Sequence, residues 1–202
     1  VVAGVGGIMS ALWASSMWSH VLVFLNSVNT GKTDPIFNHD LSFFLFKLPF
    51  FELINGFMGF LIFITILIVG AGYAVRGGFL FLGNRFSSVK HARIHMVVLI
   101  FLFFIRLSFS FYLDKFDTLY SSHSVLTGAG YADVNAKLII LGIMPVLTLI
   151  AGIVFSWAVF NEKIKFAIYP TIGLVAIYLL GVVVYPNLLQ NFKVAPNEQA
   201  ME

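Results

Sequence analysis

Five apolar runs, each near the length of one bilayer crossing and each followed by a charged or turn-forming stretch, govern what this chain can fold into. They cover about residues 2–25 (A), 51–75 (B), 96–113 (C), 138–160 (D) and 166–189 (E). A helix needs about 20 apolar residues to cross the hydrocarbon layer, where backbone groups have no water to bond. Apolar residues make up 59% of the 202 and charged ones only 10%, against roughly 25% charge in soluble domains. The expected fold class is all-α: a polytopic transmembrane helical bundle of about five spans with a short interfacial aromatic helix.

Between A and B lies the most unusual connection, Asp34 to Glu52. It is too charged to cross and too rich in phenylalanine for a solvated loop. Phe37, Phe43, Phe46 and their neighbours alternate with Asp34, Asp40, Lys47 and Glu52. Rings in the acyl region and charges among headgroups predict an interfacial segment over 34–50. Asp34 before Pro35 reads as an N-cap with a first-position proline, and Asp40 as the cap of a second short helix that Pro49 ends or kinks.

Charge sets the orientation. The B–C connection carries Arg76, Arg85, Lys90 and Arg93 and no acid; the short D–E turn carries Glu162, Lys163 and Lys165. The positive-inside rule places both in the cytoplasm. The 27–50 and 114–137 loops and the C-terminal tail are then extracytoplasmic, in a multi-pass protein of a prokaryotic cytoplasmic (inner) membrane. No basic region precedes the first run, so no signal peptide is expected, and the polar end at Glu202 reads as the edge of a piece of something longer.

Arg106 is the cation deepest in a run, ~16 Å from His95 at 1.5 Å per residue. A charge there needs a partner, and Glu52 at the outer start of B is expected to form a structural ion pair with it. Gly128, Gly130, Tyr131 and Asp133 read as an outer turn whose aspartate caps D, not as a nucleotide loop, because the third glycine and the preceding strand are missing. His39 and His123, with Asp34, Asp40 and Asp133, are the weak candidates for a divalent ion, but no metal-motif spacing joins them. His20 and His95 near run ends offer ligands for a haem or pigment, while His91 and His95 also suit phospholipid headgroups. No catalytic constellation is present, cysteine is absent and no nucleic-acid patch stands out.

The segment DPIFNHDLSFFLFKLPF resembles a motif of a large group of bacterial and archaeal membrane proteins, uncharacterised protein family 0182. FYLDKFDTLYSSHSVLTGAGYADVNAKL and YPNLLQNFKVAPNE resemble later motifs of the same family, in the same order, and the likeness begins near Trp18 and Asn26. Phe44 stands where a tyrosine is usual, and Ser122-His123 departs from the more common glycine. The resemblance implies about seven N-terminal spans followed by a large extracytoplasmic domain, with this chain as the later part of the membrane module. It implies topology and no chemistry.

The expected role is therefore a non-enzymatic anchor or scaffold for an extracytoplasmic domain, or a subunit of a larger membrane complex. Its expected partners are lipids and other membrane subunits, with no cofactor. A transporter or channel using Arg106 and Glu52 is the rival; Pro145 and Pro170 as helix breaks would favour it. An accessory subunit of a pigment- or haem-containing bioenergetic complex is the third reading.

Overall fold

Backbone groups in an apolar run must satisfy one another, and this chain does so with helices. The computed structural model describes residues 2–82, 85–118, 122–123, 126–127 and 133–194. Its helices are α1 (Val2–Ser16), α2 (Trp18–Leu25), α3 (Leu48–Val75), α4 (Lys90–Asp117), α5 (Leu138–Phe160), α6 (Ile164–Tyr178) and α7 (Tyr185–Leu189). Two short antiparallel pairs interrupt them: β1 (Phe79–Leu82) with β2 (Arg85–Ser88), and β3 (Ser122–His123) with β4 (Leu126–Thr127). Four continuous helical stretches are long and apolar enough to cross a membrane: Phe43–Val75, Lys90–Asp117, Leu138–Phe160 and Ile164–Phe192.

Run A is not among the four. It is divided at Met17, where backbone bonding tightens from the α pattern to His20 N–H on the Met17 carbonyl at 3.1 Å. Two helices of 15 and 8 residues cover the run expected as one span.

The chain separates into two compact units, Val1–Ile54 and Asn55–Glu202. In the first, aromatic contacts tie α2 to the start of α3: the Phe24 ring stacks on Phe50 at 4.1 Å and meets Phe51 edge-on at 5.7 Å. The Phe43–Lys47 stretch is one π turn running directly into α3, with Leu48 N–H donating to the Phe43 carbonyl. Pro49 therefore neither ends nor kinks off a separate helix. It has no N–H to donate, and the widened turn just before it lets the helix continue past it.

In the second unit α5 packs between α4 and α6. Its heptad spacing explains how. Leu141, Met144, Thr148 and Ala151 are buried, while Ile139, Val146 and Ile153, seven residues apart, are 57%, 57% and 58% exposed. Branched aliphatics outside, with Thr148 and Ala151 beside Leu141 and Met144 inside, suit a helix solvated by lipid. Phe104 of α4, Met144 and Ala151 of α5 and Leu174 of α6 form the core. Pro145 and Pro170 lie within continuous α5 and α6, so neither is the helix break that would have favoured the transporter reading. Ser108 Oγ donates to the Pro145 carbonyl at 2.8 Å, which fastens α4 to α5 beside that proline.

Candidate functional site

Two helices of the second unit end in the same way, and the difference between them locates a site. At the end of α3, Gly78 N–H donates to the Tyr73 carbonyl at 2.7 Å and Gly77 N–H to Ala74 at 3.2 Å, with Gly77 at φ +70°. At the end of α5, Lys163 N–H donates to Ala158 at 2.8 Å and Glu162 N–H to Val159 at 3.1 Å, with Glu162 at φ +61°. Both are the left-handed closure that glycine adopts freely and other residues only at a cost of about 1–2 kcal/mol. Glutamate occupies the second one.

Its side chain supplies the compensation. One oxygen, Oε1, accepts from Arg93 Nη1 at 2.9 Å, from Ser88 N–H at 3.0 Å and from Ser88 Oγ at 3.4 Å. Those bonds join the β1–β2 hairpin and the first turn of α4 to the α5–α6 turn. Both side chains of the ion pair are less than a third exposed, 22% for Arg93 and 29% for Glu162. The Arg93 guanidinium also lies 5.4 Å from the Phe160 ring centre, a cation–π distance.

Beneath this pair is a cavity of about 260 Å³. Met96 and Ile100 of α4, Phe155 and Val159 of α5, and Ile164 and Ala167 of α6 form its walls, and Phe79 of the hairpin contributes a ring. Arg93 and Ser88 border it, but the surface it presents is almost wholly apolar. Arg93 Nε is buried without a hydrogen-bond partner among the described residues.

The sequence alone did not join these residues, because Arg93 and Glu162 stand 69 positions apart. A signal was available: Glu162 is the one acid in the two connections assigned to the cytoplasm, opposite four cations in the other. The hairpin also had a sequence cue, Phe-Leu-Phe-Leu and Arg-Phe-Ser-Ser separated by the turn-forming pair Gly-Asn.

Arg106, the expected intramembrane site, donates from Nε to the Asn55 carbonyl of α3 at 3.0 Å. Its guanidinium lies against Gly59, where an added Cβ would fall 2.5 Å from Nε. The absence of a side chain on that turn is what lets the charge reach a helix backbone. The pairing with Glu52 joins residues of different units and stays an expectation.

The interfacial candidates form a bonded loop within the first unit. Asp34, 6% exposed, accepts through Oδ2 from Ile36 N–H at 2.9 Å and Phe37 N–H at 2.6 Å, so Pro35 sits in a tight turn rather than a helix. Asp40 accepts from Ser42 N–H at 2.8 Å, Thr30 N–H at 3.0 Å, Thr30 Oγ1 at 2.9 Å and Gly31 N–H at 2.9 Å. The N–H groups of Ser42 and then Thr30 hold its carboxyl well below the usual range, so it stays ionised at physiological pH. His39 packs its ring 4.9 Å from Phe43, whose neighbour Phe44 is buried; Phe46 lines a shallow hollow with Leu22 and Val23.

Among the described residues no three His, Cys, Asp or Glu side chains converge as a metal site would require. His95 Nδ1 lies 3.3 Å from the Tyr73 hydroxyl, and His20 is exposed. Asp133 opens the π turn that leads into α5, and His123 pairs with Leu126 across β3–β4. Gly128, Gly130 and Tyr131 lie outside the described residues.

The model of the Uncharacterised protein family (UPF0182) matches residues 1–202. A UPF0182 protein of Geotalea uraniireducens (strain Rf4) is 40% identical over 195 residues, 96% of this chain and 22% of that protein. One from Geobacter sulfurreducens is 39% identical over 196 residues, again 96% and 22%. One from Kocuria rhizophila is 34% identical over 202 residues, 97% and 20%. The chain thus spans about a fifth of the length of the curated relatives it matches. No solved structure matches it.

Proposed function

Because this chain belongs to the Uncharacterised protein family (UPF0182), we propose that it is one section of the membrane module of a longer protein and serves as a non-enzymatic anchor for the remainder. The observation that carries this reading is where the polar side chains in the apolar helices are directed. Arg106 bonds the Asn55 carbonyl, Ser108 the Pro145 carbonyl, Thr148 the Met144 carbonyl and Thr65 the Leu61 carbonyl. Each of these donors meets a helix backbone, which favours packing over a polar conduit.

Reconstitution of the full-length protein into planar bilayers tests it. The expected result is no protein-dependent conductance and, for Arg106→Gln, a lower unfolding midpoint in micelles. A conductance that Arg106→Gln abolishes would replace the anchor with a channel.

The same proposal puts the chain in the cytoplasmic membrane with loops 27–50 and 114–137 and the tail outside. Its support is the excess of Lys and Arg in the B–C and D–E connections. The chain contains no cysteine, so single cysteines introduced at Asn38 and Lys90 are clean reporters once any others in the full-length protein are replaced. An impermeant maleimide added to intact cells is expected to label position 38 and to reach position 90 only after permeabilisation. The opposite pattern inverts the topology.

A further inference from the structure

We propose that the cavity beneath the Arg93–Glu162 pair binds an anionic phospholipid, with one acyl chain inside it and the headgroup phosphate on the Arg93 guanidinium. The proposal rests on the membrane placement of the helices, not on the anchor role.

Four observations converge on this occupant. The walls are aliphatic and aromatic, so a water molecule inside would lack the two to four polar partners that hold buried water in place. An alkyl chain needs none. Arg93 borders the cavity with its side chain 22% exposed; its Nε–H is unpartnered among the described residues, and Nη1 is engaged by Glu162. A phosphate oxygen is an acceptor suited to a guanidinium edge.

The level of the cavity is the third observation. It lies among the first three turns of α4, the last turns of α5 and the start of α6, with Phe79 and Ser88 of the hairpin also lining it. In helices that cross a bilayer, terminal turns stand where acyl chains give way to headgroups. Charge is the fourth. Glu162 is the sole acid of the two connections, and Arg93 and Ser88 already answer it. Lys90, His91, Lys163 and Lys165 leave the surrounding chain basic. Such pockets between helix ends favour anionic over zwitterionic headgroups.

The test uses the delipidated full-length protein in detergent. Phosphatidylglycerol and phosphatidylcholine with identical chains are titrated, and retained lipid is counted by native mass spectrometry. Phosphatidylglycerol is expected to be retained at concentrations about fivefold or more below phosphatidylcholine, the factor that ~1 kcal/mol of attraction per cation produces. Ala167→Leu, which places a larger side chain in the cavity, should remove retention of both lipids. Arg93→Gln, which removes the positive charge, should remove the preference alone.

Equal retention of the two lipids by the wild type overturns the proposal, and that comparison holds even where a variant fails to fold. Undiminished retention by Ala167→Leu likewise assigns the lipid to the outer surface and overturns it. A rise in thermal midpoint with inorganic phosphate alone, matching that with phosphatidylglycerol, would make this a small-anion site and also overturn it. Failure here with the maleimide topology intact removes the lipid site and leaves the membrane placement standing.

Discussion

Alanine at Gly152 is expected to destabilise the protein by about 1–3 kcal/mol through overpacking. The direction is the reverse of ordinary helix propensity, where glycine to alanine stabilises by roughly 0.5–1 kcal/mol. The reason is a close crossing of α5 over α4. A Cβ at Gly152 would fall 2.6 Å from Phe104 Cβ and 2.9 Å from its Cγ. Phe104 Cβ is fixed to its own backbone, so the clash is relieved only by moving a helix. Phe104 is also in the core that Met144, Ala151 and Leu174 share, and a displaced helix loosens all of it. Gly142, on the same helix with open space around its would-be Cβ, is the control: alanine there should be neutral or stabilising. Unfolding of the full-length variants in mixed micelles separates the two. Equal effects at 142 and 152 would show that the α4–α5 crossing is not this tight. Gly59 should lie between them, because the atoms it faces are the mobile end of Arg106.

Glu162 should show an inverted order of substitutions, with glycine better tolerated than alanine. Removing its carboxylate leaves Arg93 and the Ser88 N–H without their acceptor. Loss of one partner from a fully buried pair costs ~3–5 kcal/mol, and partial exposure of these two reduces that to about 2 kcal/mol for Glu162→Ala. Glu162→Gly loses the same bonds but also releases the left-handed strain at φ +61°, a gain of roughly 1 kcal/mol. The same micelle unfolding measurement decides. If alanine is milder than glycine, the backbone at 162 is not strained.

The helices were largely legible in the sequence, because an apolar run long enough to cross a bilayer has few other ways to bond its backbone. What escaped notice was decided by atoms the pattern does not record. Met17 itself marks no break; the cue is the Ser15-Ser16 pair before it, where Ser15 Oγ donates to the Leu12 carbonyl at 2.9 Å. Pro49, Pro145 and Pro170 looked like breaks, yet each lies in a continuing helix. At Pro49 the cost of the missing N–H falls because a π turn precedes it. The cation expected to matter was Arg106, singled out by depth. Arg93, nearer a helix end and so unremarkable by composition, instead carries the ion pair and the cavity. Its partner became visible only when folding brought a turn with left-handed geometry beside the hairpin. Asp34 and Asp40 were readable as caps, since short acids before amide-rich turns have few other uses. That Asp40 also gathers Thr30 and Gly31 from ten and nine residues upstream was not.

The π turns at Phe43–Lys47 and Leu179–Val184 have one more effect. Each holds a surplus residue relative to α geometry, and every residue in a helix accounts for about 100° of rotation. Deleting a single amino acid inside either stretch would convert it to an ordinary turn and leave the azimuth of the following helix nearly unchanged. The same deletion in the middle of α5 would swing its buried stripe away from α4. Tolerance to length variation is thus expected at these two places, next to Pro49 and Pro186, as at the π turns Asp133–Lys137 and Gln190–Val194.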